Sequence, residues 1–194
     1  AAGEVASSEA VSSIASHISE APKNDDHEKS LVRAISEANS KIHSLGKNDV
    51  EKRGMGTTVV AVRIFNDEAL LANVGDSRAY LYRQNELSQI TSDHSLMNQQ
   101  FEAGIIDESQ LEHYPFPNII TRAVGSEPDV EVDIFRQKLE DGDTLLLCSD
   151  GLTSMVDDDK IGYILMLGEN DLEVTTEALI VSANENGGND NITV

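Results

Sequence analysis

The sequence predicts an α+β fold in which pairs of helices pack on antiparallel β-sheet. Apolar residues recur with a helical period near both ends of the chain and form strand-like runs in its middle. Turns of two or three residues separate successive strands, and such short turns are typical of hairpins. At least seven strands are predicted, with one helix pair before them and another after them. The helices should therefore lie against antiparallel sheet.

Two amphipathic helices are predicted at the start of the chain. Residues 4–20 carry an apolar stripe that would be buried. The members of this stripe are Val11, Ile14, Ala15 and Ile18. The run Asn24-Asp25-Asp26 offers an N-cap for a second helix, and Gly46 stands where a left-handed C-terminal cap would end it. The apolar positions of the second helix are Leu31, Ile35, Ala38, Ile42 and Leu45.

β-Branched residues and short turns mark the strands of the middle region. The first four predicted strands are 57–65, 69–74, 77–83 and 87–90, joined as an antiparallel meander. Later strands are predicted at 130–135, at 144–149 and at the final residues 192–194. Two closing helices are predicted, one from the capping Asp157 to Leu167, which Gly168 ends, and one over about 171–185.

The segment 95–125 interrupts the strands and has few β-branched residues before Ile119-Ile120. Short helices are predicted at 95–103 and 108–113, with Gly104 between them and two prolines after them. An insertion of this kind between sheet strands is typical of a lid. We expect residues 1–194 to form one domain that contains this insertion.

The composition narrows the classes of partner. The formal net charge is −21, from 14 Lys and Arg against 35 Asp and Glu. Such a chain repels nucleic acid and anionic membrane surfaces, so neither is an expected partner. No apolar run is long enough to span a bilayer, which predicts no membrane insertion. The single cysteine, Cys148, excludes an internal disulfide and fits a reducing, cytoplasmic location.

Three aspartates stand where strands end or turns begin. Asp150 ends an apolar strand, Asp76 directly follows Gly75, and Asp190 comes two residues after Gly188. Carboxylates gathered at one sheet edge repel each other unless cations neutralise them, and oxygen ligands favour Mg²⁺ or Mn²⁺. The three are therefore candidate ligands of divalent metal, which would support hydrolysis. Asp76 and Asp190 also have an ordinary explanation as turn residues, and Asp76 has another as an ion-pair partner of Arg78.

Other hydrolytic centres fit the sequence less well. Cys148 lies inside an apolar run, and Ser154 occupies the position where a cysteine phosphatase needs its phosphate-binding arginine. The sequence has no Gly-x-Ser-x-Gly motif, zinc cluster or calcium loop, and no Lys follows the glycines of 54–57 as a phosphate loop requires. An acidic domain that holds a structural metal is an alternative left open.

Seven short motifs occur in order along the chain. They are Ala2-Gly3-Glu4-Val5-Ala6-Ser7, Gly54-Met55-Gly56-Thr57-Thr58, Val74-Gly75-Asp76-Ser77-Arg78-Ala79-Tyr80, Asp93-His94-Ser95-Leu96, Ile120-Thr121-Arg122-Ala123-Val124-Gly125, Leu146-Leu147-Cys148-Ser149-Asp150-Gly151-Leu152-Thr153 and Gly187-Gly188-Asn189-Asp190-Asn191-Ile192-Thr193. With these motifs in this order, the sequence resembles the metal-dependent serine/threonine protein phosphatases, type 2C or PPM, in their compact bacterial branch.

The resemblance implies an antiparallel β-sandwich flanked by helix pairs, a four-layer αββα fold, with residues 95–120 as a helical flap. It implies that Asp150 bridges toward two metal positions, that Asp190 binds the core dinuclear pair, and that Asp76 joins Asp150 at a third, weaker ion. The ions would be Mn²⁺ or Mg²⁺, and a metal-activated hydroxide would remove phosphate from phosphoserine and phosphothreonine. The implied partners are phosphorylated proteins, including a cognate serine/threonine kinase, and the expected state is a monomer.

The sequence departs from the family pattern at its ends. The family's first strands carry a phosphate-binding arginine and an aspartate-glycine-x-glycine-glycine motif whose aspartate bridges two metals, and neither precedes Ala1 here. We therefore expect a domain truncated at both ends and impaired catalysis in the 194-residue chain. The alternative function is that of a non-catalytic relative that binds a phosphoprotein or regulates a partner.

Overall fold

The computed structural model describes residues 2–22, 25–111, 113–168 and 171–194. Its helices are α1 (Gly3–Glu20), α2 (His27–Asn48), α3 (Leu96–Glu102), α4 (Glu108–Leu111), α5 (Asp150–Thr153), α6 (Asp158–Leu167) and α7 (Leu172–Glu185), with a 3₁₀ turn at Val50–Lys52. Its strands are β1 (Val59–Phe65), β2 (Glu68–Val74), β3 (Arg78–Arg83), β4 (Glu86–Gln89), β5 (Asp133–Lys138) and β6 (Thr144–Cys148). The predicted α+β class is confirmed.

The strands form two three-stranded antiparallel sheets, with the orders β1-β2-β5 and β4-β3-β6. The predicted single meander is wrong at one point, because the consecutive strands β2 and β3 belong to different sheets. β2 pairs with β1 along one edge and with β5 along the other. It therefore has no edge left for β3, which pairs with β4 and β6 instead.

The strand count and several strand boundaries also differ from the prediction, the bounds of β5 by the most. The described residues contain six strands, and residues 192–194 form none of them. β5 begins at Asp133 rather than at residue 130, because Val130 and Val132 pack against the helix–sheet core before the ladder starts.

Three apolar layers confirm the αββα arrangement. One face of β2 packs against α1 and α2, and its other face packs between the sheets. The first face consists of Leu70, Ala72 and Val74, and the second of Ala69 and Leu71. The outer face of the second sheet packs against α5, α6 and α7 through Tyr80, Tyr82, Leu146 and Cys148. Each sheet therefore has helices on its outer side and the other sheet on its inner side.

The first helix pair differs from the prediction in two details. Two residues of the predicted stripe are exposed, Val11 (69%) and Ala15, and the buried positions of α1 are the small residues Ala6 and Ala10. α2 continues past Gly46 to Asn48. A side chain at Gly46 would place its Cβ 3.0 Å from the Lys52 carbonyl oxygen, so this glycine permits close packing of the following turn and does not end the helix.

Aspartate caps begin three of the long helices. Asp26 accepts from the N–H groups of Glu28 and Lys29, whereas Asn24 lies outside the described residues. Asp157 caps α6 as predicted, and Asp171 caps α7 in the same way.

The segment predicted as a flap, residues 95–120 and called the flap below, contains α3 and α4, and its Glu112 lies outside the described residues. The two ends of the flap lie side by side. The Leu96 N–H donates to the Ile119 carbonyl, and the Thr121 N–H donates to the His94 carbonyl, both at 2.8 Å. In the described part of the chain, no helix combines the length and the apolar composition that crossing a bilayer requires.

Candidate metal centre

The β3–β6 ladder brings two of the three candidate ligands together. Arg78 lies opposite Cys148 at the end of this ladder; Asp76 lies two residues before Arg78 and Asp150 two residues after Cys148, and the charge of Asp150 acts on Asp76. Asp76 lies in the turn between β2 and β3, and Asp150 is the first residue of α5. The pairing therefore joins carboxylates that are distant in the sequence.

The loop that carries Asp190 lies against the first turn of α5. The Ser149 N–H donates to the Thr193 carbonyl and the Ser149 hydroxyl donates to the Asn191 carbonyl, each at 3.0 Å. A side chain at Gly151 would overlap the Asn191 carbonyl, so only glycine permits this approach. Asp190 is exposed, and its Oδ1 accepts from the Asn191 N–H at 2.7 Å.

Burial and mutual repulsion raise the pKa of two of these carboxyl groups. Asp76 is 8% exposed, and its burial, followed by the charge of Asp150, raises its pKa to about 6. Burial, followed by the charge of Asp190, also raises the pKa of Asp150. Asp150 is thus the middle member of a group that we call the aspartate cluster, Asp76, Asp150 and Asp190.

Arg78 does not neutralise Asp76, so the ion-pair explanation of that residue is wrong. The Arg78 guanidinium donates to both carboxylate oxygens of Asp93, with Nη2 2.7 Å from Oδ2. Its Nη1 donates to the Tyr80 hydroxyl at 3.0 Å. Arg78 therefore lowers the pKa of Asp76 less than burial and Asp150 raise it.

Cys148 is unsuited to nucleophilic catalysis, as its apolar context predicts. The side chain is 2% exposed within the core below the second sheet. Burial raises the pKa of the Cys148 thiol to about 12, so the thiolate is not populated at neutral pH.

The donor chemistry of the aspartate cluster fits a hard divalent cation. Among the described residues, neither Asp76 nor Asp150 accepts a hydrogen bond from a Lys, Arg or His side chain. A buried carboxylate without a cationic partner is stabilised by a bound ion. No three His, Cys, Asp or Glu side chains of the described ranges are grouped closely enough to hold a single ion. The cluster therefore consists of two neighbouring pairs that share Asp150.

Sequence reasoning missed the hydrogen bonds that hold Gly75, the residue before Asp76, to His94 and link His94 to Asp133 and Arg122. The Gly75 N–H donates to His94 Nδ1 at 2.9 Å, and His94 Nε2 lies 3.1 Å from Asp133 Oδ2. Arg122 Nη1 donates to Asp133 Oδ1 at 2.6 Å. The motifs around His94 and Arg122 were visible in the sequence, but the pattern does not reveal which side chains from separate segments meet.

Comparisons with known proteins find a matching family, similar sequences and similar folds. The family model described as protein phosphatase 2C matches residues 1–173. The serine/threonine phosphatase Stp of Listeria welshimeri is 42% identical over 164 residues, which cover 84% of this chain. The alignment covers 65% of that relative, so the chain spans less than two thirds of its length.

Solved structures of serine/threonine phosphatases have the same fold. The serine/threonine phosphatase of S. agalactiae aligns with a TM-score of 0.91 at 39% identity, over 98% of this chain and 79% of that one. The catalytic domain of the serine/threonine protein phosphatase PstP, in complex with two manganese ions, aligns with a TM-score of 0.86 at 33% identity. This alignment covers 98% of the present chain and 79% of the PstP chain.

Proposed function

The chain belongs to the protein phosphatase 2C family, and on that premise we propose that it removes phosphate from phosphoserine and phosphothreonine in proteins with the help of divalent metal. The observation that carries the proposal is the aspartate cluster, in which Asp150 lies between two other carboxylates and accepts no hydrogen bond from a cationic side chain of the described part of the chain. The names of the relatives support the reaction class, and the two manganese ions of the PstP complex support the metal.

The three aspartates have distinct places in the proposed centre. Asp150 and Asp190 would hold the core pair of ions, and Asp76 would hold a further ion together with Asp150. Bound Mn²⁺ or Mg²⁺ would neutralise phosphoryl charge and activate water. The chain's own contribution is placement, because the N–H groups of Asp150 and Gly151 orient the Asp150 carboxylate and the β3–β6 register sets the position of Asp76.

The proposed substrates are phosphorylated proteins, including a serine/threonine kinase that the phosphatase would oppose. The net charge of −21 supports a protein substrate over nucleic acid, because polyanions repel each other. We propose a cytoplasmic monomer.

The test is phosphate release from a phosphoserine peptide by the full-length gene product, with Mn²⁺, with Mg²⁺ and with EDTA. We expect turnover only with metal. Asp150→Asn should reduce turnover more than about a hundredfold, beyond the loss usual for changes outside the ligand shell. Asp141→Asn, which removes an exposed carboxylate from the β5–β6 turn, is the matched control and should leave turnover unchanged.

Two results would contradict this function. Undiminished turnover in EDTA would exclude the metal, and full activity of Asp150→Asn would remove the aspartate cluster from the reaction. Metal-dependent binding of the phosphopeptide without turnover would instead favour the non-catalytic alternative.

A further inference from the structure

Gly75, which directly precedes Asp76, has both of its backbone polar groups bonded to one residue. Its N–H donates to His94 Nδ1 at 2.9 Å, and its carbonyl accepts from the His94 N–H at 3.0 Å. The Asn73 side chain donates to the same carbonyl at 3.2 Å. His94 is 7% exposed and Asn73 is fully buried, so water does not compete for these bonds.

The Gly75 bond fixes the state of the His94 imidazole. Because a backbone N–H donates to Nδ1, the ring proton is on Nε2, which donates to Asp133 Oδ2 at 3.1 Å. Arg122 Nη1 lies 2.9 Å from the same Nε2, but two N–H donors do not bond each other. Arg122 donates instead to Asp133 Oδ1 at 2.6 Å. The ring is thus held between the first residue of β5 and the turn that carries Asp76.

The same residue closes the base of the flap. The His94 carbonyl accepts from the Thr121 N–H at 2.8 Å, and the next residue, Ser95, forms an antiparallel bridge with Ile120. The backbone of His94 therefore bonds Gly75 on one side and the returning end of the flap on the other.

We propose that His94 is a positioning residue that places Asp76 through Gly75 and anchors the flap at the same time. Its side chain holds the turn before Asp76, and its backbone carries the flap. The effect on metal-dependent turnover rests on the proposed function, whereas the effect on the flap does not. Because the imidazole bonds to Gly75 and Asp133 also hold the His94 backbone in place, one substitution of the side chain should alter both.

The first experiment measures the flap alone, by chymotrypsin cleavage of the folded, metal-free gene product. The sequence has no Lys or Arg from 84 to 121, so trypsin cannot report on the flap, whereas Phe101 in α3 is 41% exposed. His94→Leu should speed cleavage after Phe101 by about tenfold, because an anchored segment opens less often. His113→Leu removes an exposed flap histidine, is the matched control, and should not change the rate.

The second experiment is a double-mutant cycle on turnover at subsaturating Mn²⁺. His94→Leu and Asp76→Asn should each cost about tenfold. The double variant should also cost about tenfold, because both changes act through the placement of one carboxylate. His94→Asn retains an acceptor near the position of Nδ1 and should recover most of the activity. A loss of about a hundredfold in the double variant would overturn the proposal, since it would show independent effects.

Each remaining outcome also decides the proposal. If His94→Leu does not fold, Arg122→Met replaces it in both experiments, since this change keeps the imidazole but removes the cation that orients Asp133. Equal cleavage rates, or a folded His94→Asn variant as impaired as His94→Leu, would overturn the positioning role. If the unsubstituted protein shows no metal-dependent turnover, the proposed function fails, and the cleavage rates still decide whether His94 anchors the flap.

Discussion

Asp76 and Asp190 flank the same carboxylate, yet the chain holds them in different ways. Asp76 is buried in a turn between two strands, beside a glycine whose backbone groups are both bonded. Asp190 is exposed in a loop, and its carboxylate accepts from the N–H of its own neighbour. One side of the aspartate cluster is therefore fixed by the sheet, whereas the other depends on a few loop contacts. A carboxylate that the fold already holds in place gains little further order when an ion binds. A carboxylate on a loop, in contrast, is ordered by the bound ion.

The largest expected effect separates the two flanking aspartates by their role in turnover. Asp190→Asn should reduce metal-dependent turnover of the full-length gene product more than about a hundredfold, whereas Asp76→Asn should reduce it about tenfold. The reason is that Asp190 is proposed to hold the core pair and Asp76 only the further ion. The measurement is phosphate release at saturating Mn²⁺. Equal losses for the two variants would contradict the difference in role.

A substitution of Gly75 tests how much the stability of the buried turn that carries Asp76 depends on the glycine backbone. Gly75 has a φ of 110°, and a side chain there would overlap Thr58. Gly75→Ala should lower the free energy of unfolding by about 2–4 kcal/mol, from backbone strain and overpacking together. Urea denaturation in EDTA measures this loss.

Gly142→Ala is the matched control for Gly75→Ala. Gly142 has a φ of 92° with open space around it, so only the strain of about 1 kcal/mol should appear. If the two alanine variants lose the same stability, the close approach of Thr58 has no energetic role.

The buried charge of Asp76 should destabilise the metal-free protein. Its pKa is about 6 in the folded state and lower in the unfolded chain, so the destabilisation is absent below about pH 4 and grows as the pH rises to 6. Asp76→Asn should therefore raise the free energy of unfolding at pH 7 by about 1–3 kcal/mol, with no gain at pH 4. Urea denaturation in EDTA at both pH values measures the change.

Asp143→Asn is a control of opposite sign. Hydrogen bonds from Arg83, at 2.6 Å and 2.8 Å, lower the pKa of Asp143, so its charge stabilises the fold above the ordinary carboxyl pKa. The control variant should be less stable than the unsubstituted protein at pH 7. A loss of stability in Asp76→Asn as well would contradict an uncompensated charge at residue 76.

The smallest expected effect concerns the loop that carries Asp190. The Ser149 hydroxyl donates to the Asn191 carbonyl and accepts from the Thr193 N–H, both at 3.0 Å. Ser149→Ala should raise the Mn²⁺ concentration for half-maximal turnover by about fivefold, the equivalent of about 1 kcal/mol. Ser154→Ala, an exposed serine just after α5, is the control. An unchanged Mn²⁺ dependence would show that the Asp190 loop does not rely on Ser149.

Local sequence patterns predicted the positions of helices and strands better than they predicted which strands pair. Capping by Asp157 was predictable, because a cap depends on residues within one turn. The assignment of β2 and β3 to different sheets was not, because hairpin rules assume that successive strands pair. Gly46 shows the same limit, since its role inside α2 depends on the carbonyl of a later turn.

The aspartates of the cluster were predictable as residues, but their pairing was not. Strand periodicity marks β3 and β6 without saying that Arg78 lies opposite Cys148, and that register is what brings Asp76 beside Asp150. His94 was overlooked for the same reason, because its partners Gly75 and Asp133 come from the ends of two other strands.

The paired ends of the flap have a consequence for engineering and for divergence among relatives. The Leu96–Ile119 and His94–Thr121 hydrogen bonds close the segment at its base. The two points where the flap joins the rest of the chain therefore stay together whatever sequence lies between them. Doubling the length of such a closed loop costs only about 0.6 kcal/mol. The fold can therefore accept an exchanged or enlarged cassette at this position while the strands on either side keep their register.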